Sequence, residues 1–181
     1  MARAGQERAG SPGGDGTADF ERFYREHRDR AWLYARAFAG CAETAEECLQ
    51  EAFLACLERP DRLRGAASPR GYLLALLRSR LVDACRRRRR ERRARGEGEW
   101  FSPNGSAVDP LLQRERGRRV ETALQALPRD QREAVVLKIW EGLTLREIAH
   151  LTGARENTAA SRYRYGIEKL RSLLQGVFDH G

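Results

Sequence analysis

Apolar residues recur at spacings of three and four through most of this chain, and that period constrains the fold more than any other feature. Phe20, Phe23, Tyr24, His27, Ala31, Tyr34, Ala35 and Phe38 form the first series. Asp19 is placed to cap it and Gly40 to end it. Ala45, Cys48, Leu49, Ala52, Phe53, Cys56 and Leu57 form a second series, predicting a helix with these residues as its buried face. Thr44 and Glu47 stand at capping-box spacing at its start, and Pro60 stops it. A polar loop follows, DRLRGAA. Ser68-Pro69 then reads as the N-cap and first residue of a third helix, because Pro in that position forfeits no hydrogen bond. That helix carries Tyr72, Leu73, Leu76, Leu77, Leu81 and Val82 and should run on into an Arg tract. No segment alternates apolar and polar residues as a half-buried strand would. The expected fold class is all-α.

Composition divides the chain. Residues 1–17 are rich in Gly, Ala, Ser and Pro without any period, and are expected to form a disordered tail. Residues 96–108 contain three Gly with Pro, Ser and Asn, and read as a linker. Asp109-Pro110 restarts helix by the same cap logic. Four more helices are expected, at about 110–126, 129–141, 145–151 and 155–175, with breaks at Leu127-Pro128, Gly142 and Thr152-Gly153. The chain thus reads as a tail (1–17), a helical domain (18–95), a flexible linker (96–109) and a second helical domain (110–176). Each domain is large enough for a small core.

The net charge of +8 is not spread evenly. Only Lys138 and Lys169 are lysines among 34 cations. Residues 86–95, RRRRRERRAR, hold eight Arg and one Glu, which is nearly the whole excess. Residues 40–58 have five Glu and no cation, whereas residues 59–80 have six Arg and one Asp. Such a split suits two partners, one basic and one polyanionic. Solvated helix faces that balance within the fold would read the same way.

The sharpest local pattern lies near the C-terminus. TLREIAHL, residues 144–151, predicts a short helix with Leu145, Ile148, Ala149 and Leu151 apolar. Thr152-Gly153-Ala154 predicts a tight turn, and a long cationic helix follows. This is a helix-turn-helix pattern. Small Ala149 suits a close helix crossing, and Gly153 suits a left-handed turn. Arg155, Asn157, Thr158, Ser161, Arg162 and Arg164 stand near the start of the second helix. Those side chains hydrogen-bond phosphates and base edges in a major groove. Tyr163, Ile167 and Leu170 can face the core.

Catalytic and metal-binding patterns are missing. Cys41, Cys48, Cys56 and Cys85 have no CxxC spacing, so a zinc site is not expected. Cys48 and Cys56 are about 12 Å apart along one helix and cannot pair. The cysteines read as small buried apolar residues, with redox sensing at Cys41 or Cys85 a second reading. His27, His150 and His180 have no catalytic spacing. No P-loop, GxSxG, HExxH or paired-carboxylate motif occurs, so no enzyme activity, metal or cofactor is expected. No run approaches the roughly 18 apolar residues of a membrane span, and no signal-peptide pattern opens the chain. A cytoplasmic protein is expected.

Taken in order, these segments resemble a bacterial RNA polymerase sigma factor of the extracytoplasmic-function (ECF, group 4) class, which keeps only the sigma-2 and sigma-4 domains. FERFYREHRDRAWLYARAFAG resembles the opening helix of sigma-2, and TAEECLQEAFLACL, residues 44–57, resembles the region 2.2 helix. In that family this helix binds the coiled coil of the polymerase β′ subunit. The matching positions here are Glu47, Gln50 and Glu51. DRLRGAASPRGYLLALLRSRLVD, residues 61–83, resembles regions 2.3 and 2.4, which read the −10 promoter element and capture a flipped base. Arg62, Arg64, Ser68, Arg70, Tyr72 and Arg78 match. Pro69, Tyr72, Ala75 and Ser79 depart from the common aromatic, Trp, Arg and Asn, which bears on −10 preference rather than on fold.

EGLT, the Glu-Ile-Ala that follows it, and Thr158, Ser161 and Arg162 resemble sigma-4, which reads the duplex −35 element. Ala160 replaces a common Lys, and Arg155 or Arg164 can supply the charge. The resemblance implies an initiation factor whose partners are core RNA polymerase (the β′ coiled coil and the β subunit), promoter DNA and, in many members, an anti-sigma factor. The linker would thread the polymerase channel, and the Arg tract would lie along upstream promoter DNA. A stand-alone helix-turn-helix regulator is the main alternative, and an RNA-binding adaptor on a sigma-like fold a second.

Overall fold

The computed structural model describes residues 14–95 and 111–178, and among them every regular element is helical. Eight helices follow in chain order: α1 (Gly14–Ala39), α2 (Ala42–Glu58), α3 (Pro60–Gly65), α4 (Pro69–Ala94), α5 (Leu111–Gln125), α6 (Arg129–Ile139), α7 (Leu145–Thr152) and α8 (Glu156–Phe178). The all-α expectation holds. The remainder of the expected tail, the linker and the Asp109-Pro110 cap lie outside the described residues.

α1, α2 and α4 form the first bundle, and α5 to α8 the second. Gly40, with φ 77°, turns the chain between α1 and α2. The rings of Phe20, Phe23 and Tyr24 at the start of α1 all meet Phe53 near the end of α2, so the two helices are antiparallel. Leu73, Leu74, Leu77 and Leu81 of α4 close the core against Ala45, Leu49, Ala52 and Cys56. In the second bundle α6 and α7 pack on α8. Gly166 sits where α8 crosses α6: a Cβ there would lie 2.6 Å from Val135 Cγ2 and 3.1 Å from the Gln131 carbonyl oxygen. The crossing is therefore closer than any side chain permits.

Several local expectations are corrected. α1 begins at Gly14, inside the expected tail, so Asp19 is not its cap; it lies within the helix and pairs with Arg22 at 3.2 Å. Propensity alone does not favour GDGT, but a helix already anchored by the Phe20–Phe23–Phe53 cluster extends one turn at little cost. The Thr44–Glu47 capping box does not form, because α2 starts three residues earlier, at Ala42, behind an extended Cys41, whose thiol donates to Thr44 Oγ1. Pro60 ends nothing on its own account: α2 stops at Glu58, and Pro60 is the first residue of α3, which takes up most of the expected loop. Leu57 is 49% exposed and leaves the buried face of α2. Ser68 does cap α4, accepting from the Gly71 amide at 3.0 Å.

The bundles touch along a seam in which α1 meets α5 and α6, and α4 meets α7. Tyr34 Oη donates to Glu133 Oε1 at 2.8 Å, and Arg78 Nε donates to the same oxygen at 2.8 Å. Arg36 pairs with Glu121, Gln125 Nε2 donates to the Ala37 carbonyl at 3.1 Å, and Arg129 lies 4.2 Å over the Phe38 ring. An apolar cavity of about 620 Å³ opens beside these contacts, lined by Trp32, Leu33, Val120, Leu124 and Trp140 among others.

Candidate nucleic-acid interface

α7 and α8 make the expected helix-turn-helix. Thr144 Oγ1 accepts from the Glu147 amide at 3.2 Å, and Glu147 Oε2 accepts from the Thr144 amide at 2.7 Å. This reciprocal cap holds the Glu147 carboxyl below its usual range. Gly153 closes α7 in the left-handed conformation, φ 67°, as its position in the turn suggested. Ala149 of α7 and Ala159 of α8 are both buried. Small side chains on each helix allow the close approach.

The first turns of α8 carry the expected residues to solvent. Asn157, Thr158, Ser161, Arg164 and Tyr165 span about one third of the helix circumference at 100° per residue, and Arg155 precedes the first turn. Arg155, Asn157, Thr158 and Arg164 are exposed; Ser161 and Arg162 are half-buried. Two of the six are engaged within the bundle. Ser161 Oγ donates back to the Asn157 carbonyl at 2.8 Å, and Arg162 pairs with Asp130 of α6. Arg164 lies 4.9 Å over the ring of Tyr165. Sequence reasoning missed Tyr165, which is 51% exposed on this face. Tyr163 and Tyr165 are equivalent in composition, and only the helix phase turns one inward and the other out.

The second group of expected DNA residues divides. Arg62 and Arg64 stand exposed on α3, with Arg64 held by Asp61 at 2.8 Å. Arg70 and Tyr72 are half-buried at the start of α4, beside the Ser68 cap. These five residues share one end of the first bundle. Arg78, two turns along α4, does not join them: its guanidinium is turned to Glu133 in the second bundle. α4 carries the Arg tract without a break, and most of those side chains are exposed. Arg88 donates to Cys41 Sγ at 2.7 Å and Arg86 lies 3.8 Å from Asp83.

A third surface lies on α2. Glu47, Gln50 and Glu51 are all exposed and fall on one face, with Glu43 and Glu58 in line. Leu54, 56% exposed, stands in the middle of these acids, and Leu57 borders them. Sequence reasoning missed this pair as surface residues; an i, i+3 leucine spacing reads equally as core. An acidic face with exposed leucines at its centre has the form of a protein-binding surface: apolar contact within, charge around it.

Cys48 and Cys56 are buried, and burial pushes both thiols up to about 11; it also raises that of Cys85. No group of three or more metal-ligating side chains occurs among the described residues. No helix among them is long and apolar enough to cross a membrane.

Comparison with known proteins agrees with this geometry. The family model for sigma-70 region 2 matches residues 23–91, and that for sigma-70 region 4 matches residues 117–170. The chain belongs to the sigma-70 family of RNA polymerase sigma factors. Within that family it is of the extracytoplasmic-function type, group 4. It is 31% identical to the RNA polymerase sigma factor CarQ of Myxococcus xanthus, over 88% of this chain and 92% of that one. It is 29% identical to the ECF sigma factor SigL of Mycobacterium tuberculosis, over 84% and 86%. Among solved structures it is similar in fold to the sigma factor RpoE of Bartonella quintana, solved with the anti-sigma factor NepR. That match has a TM-score of 0.70 at 22% identity and covers 87% of this chain and 97% of the other. CnrH, solved with the cytosolic domain of CnrY, gives a TM-score of 0.65 at 19% identity over 88% and 90%.

Proposed function

We propose that this sigma factor binds core RNA polymerase through the exposed face of α2 and carries it to promoters with two separate DNA surfaces. Glu47, Gln50 and Glu51 meet the β′ coiled coil, with Leu54 as the apolar contact at the centre. Arg155, Asn157, Thr158, Ser161, Arg162 and Arg164 of α8 read the duplex −35 element, and Tyr165 adds a ring beside Arg164. Arg62, Arg64, Ser68, Arg70, Tyr72 and Arg78 hold the opened −10 strand. In this reading residues 18–95 form the sigma-2 domain, 96–109 the linker and 110–176 the sigma-4 domain. The polymerase supplies all catalysis, the chain needs no cofactor, and it works in the cytoplasm. An anti-sigma factor is a natural further partner, since RpoE, which this chain resembles in fold, was solved bound to the anti-sigma factor NepR.

The observation that carries the reading is the α2 face. A stand-alone helix-turn-helix regulator has no use for four exposed acids and two exposed leucines on a helix remote from its DNA surface. The test is a pull-down of purified core polymerase with the wild-type chain and with Gln50→Ala/Glu51→Ala. Wild type should retain polymerase and the double variant should lose at least tenfold, with run-off transcription falling in parallel. A folded wild-type chain that retains no polymerase would overturn the proposal and leave the regulator reading.

A further inference from the structure

Two of the four cysteines are not sealed in the core. Cys41 and Cys85 are half-buried, whereas Cys48 and Cys56 are buried. Cys41 ends the α1–α2 turn as the N-cap of α2, with extended backbone and no side-chain cap bond to the helix. Cys85 lies on α4, and Arg88 of the same helix joins the two places. Residues i and i+3 of a helix share a face, and a helical side chain leans toward the N-terminus of its helix. Arg88 therefore lies over the Cys85 turn, and from there its Nη1 donates to Cys41 Sγ at 2.7 Å. Cys41 is thus seated over the turn of α4 that carries Cys85.

The surroundings give the two sulfurs different parts. The thiolate is the form of cysteine that attacks an oxidant. At Cys41 an anion would find the Arg88 guanidinium, the Thr44 hydroxyl at 3.1 Å and the positive end of α2. Cys85 is the slower sulfur: burial raises its thiol, against the pull of Arg129, Arg132 and Arg88. The charge of Cys41 reaches it as well, as that of a near neighbour does. Arg132 is 8% exposed and its Nε has no hydrogen-bond partner, so a buried cation already waits on the Cys85 side.

We propose that Cys41 and Cys85 form a modification site: hydrogen peroxide oxidises Cys41, and Cys85 then closes a disulfide that staples the α1–α2 turn to α4. In the first step Cys41 sulfur attacks one peroxide oxygen. The S–O bond forms, the O–O bond breaks, and the leaving hydroxide takes up the thiol proton as water. In the second step Cys85 sulfur attacks the sulfenic sulfur of Cys41. The S–S bond forms, the S–O bond breaks, and the departing hydroxide leaves as water with the Cys85 proton. Two thiols lose two electrons to one peroxide. The bond closes a loop of some 44 residues that contains α2, α3 and the first part of α4, and so restricts the unfolded chain. A bond that forms with oxidant and yields to thiol is the transient kind found where cysteines are otherwise kept reduced. The staple is independent of the polymerase and DNA surfaces proposed above.

The test treats the reduced full chain with a small excess of hydrogen peroxide and maps its peptides by mass spectrometry without reductant. The expected product is a monomer lighter by two hydrogens, with Cys41 joined to Cys85. Cys85→Ser should stop at a sulfenic acid on Cys41 that dimedone traps, and Cys41→Ser should form no disulfide at the same rate of exposure. Arg88→Gln, with wild-type helicity by circular dichroism, should slow the reaction at least fivefold. The oxidised wild type should melt about 5 °C higher or more, and dithiothreitol should reverse the gain. A treated wild type that keeps four free thiols would overturn the proposal, as would a bond that joins Cys85 to Cys48 instead. A Cys41–Cys85 bond with no rise in melting temperature would overturn the staple. The mapping is done on wild type, so a variant that fails to fold leaves it decisive.

Discussion

Glu141 shows how one residue can be kept at a cost to the fold. It is buried between α6 and α7, and its Oε1 has no hydrogen-bond partner. Burial raises its carboxyl above the usual range, although Arg70 and Arg30 pull the other way. A carboxyl that holds its proton more tightly when folded gives most stability when protonated. That stability is lost as pH rises from the unfolded value through the folded one. Glu141→Gln should therefore melt higher than wild type at pH 7.5, by about 2–4 °C for each kcal/mol recovered. The advantage should shrink as pH falls through and below the usual glutamate range, where the carboxyl takes up its proton. A thermal melt series across that range decides it; an unchanged difference at the two ends would mean that charge is not the cause. Glu147 behaves in the opposite sense. Its lowered carboxyl adds stability above the usual glutamate range, and this is lost as the cap protonates.

At the scale of the element, most helices were legible because their buried residues repeat every three or four positions. α2, α4, α6, α7 and α8 all lie within two or three residues of the expected bounds. What failed was punctuation. Pro60 reads as a stop in the sequence, but a proline at a helix start and one after a helix end look alike in a single sequence. Leu57 fell on the buried face by spacing, and only the end of α2 and the departure into α3 leave it uncovered. Gly166 carries no signal in the sequence, because nothing in its neighbours says that Val135 and Gln131 lie across it. Gly166→Ala should therefore destabilise the second bundle, although alanine favours a helix. The forced shift of α6 should cost about 1–3 kcal/mol, against a propensity gain of about 1. Denaturant titration would read the balance, and a more stable variant would mean that the crossing has slack.

For the whole molecule, the two groups proposed to face DNA are legible as residue lists and not as an arrangement. Five of the six −10 candidates do gather at one end of the first bundle, because they are close in sequence on α3 and the start of α4. Arg78 meets Glu133 across 55 residues, and no local pattern announces a contact of that range. The Arg tract belongs to this scale too. If it lies on DNA phosphates, binding of duplex by the full chain must weaken steeply with salt. Replacing Arg87, Arg89, Arg90 and Arg93 by Gln should reduce the slope of log K against log salt by about 0.9 for each lost contact. Anisotropy titrations at several salt concentrations measure it. An unchanged slope would remove the tract from the DNA surface.

α4 also sets a length. Its 26 residues run unbroken from the Ser68 cap to the end of the Arg tract, about 39 Å at 1.5 Å per residue. One turn of duplex rises about 34–36 Å. If the tract lies on DNA phosphates, the helix is a rigid gauge matched to a single turn: with one end fixed at the strand opening, the other cannot slide along the groove to suit a different sequence. Inserting four residues after Ala84 would move the tract about 6 Å and rotate it by roughly 40°. A flexible basic tail would tolerate such a change; a gauge would lose its register with the phosphates.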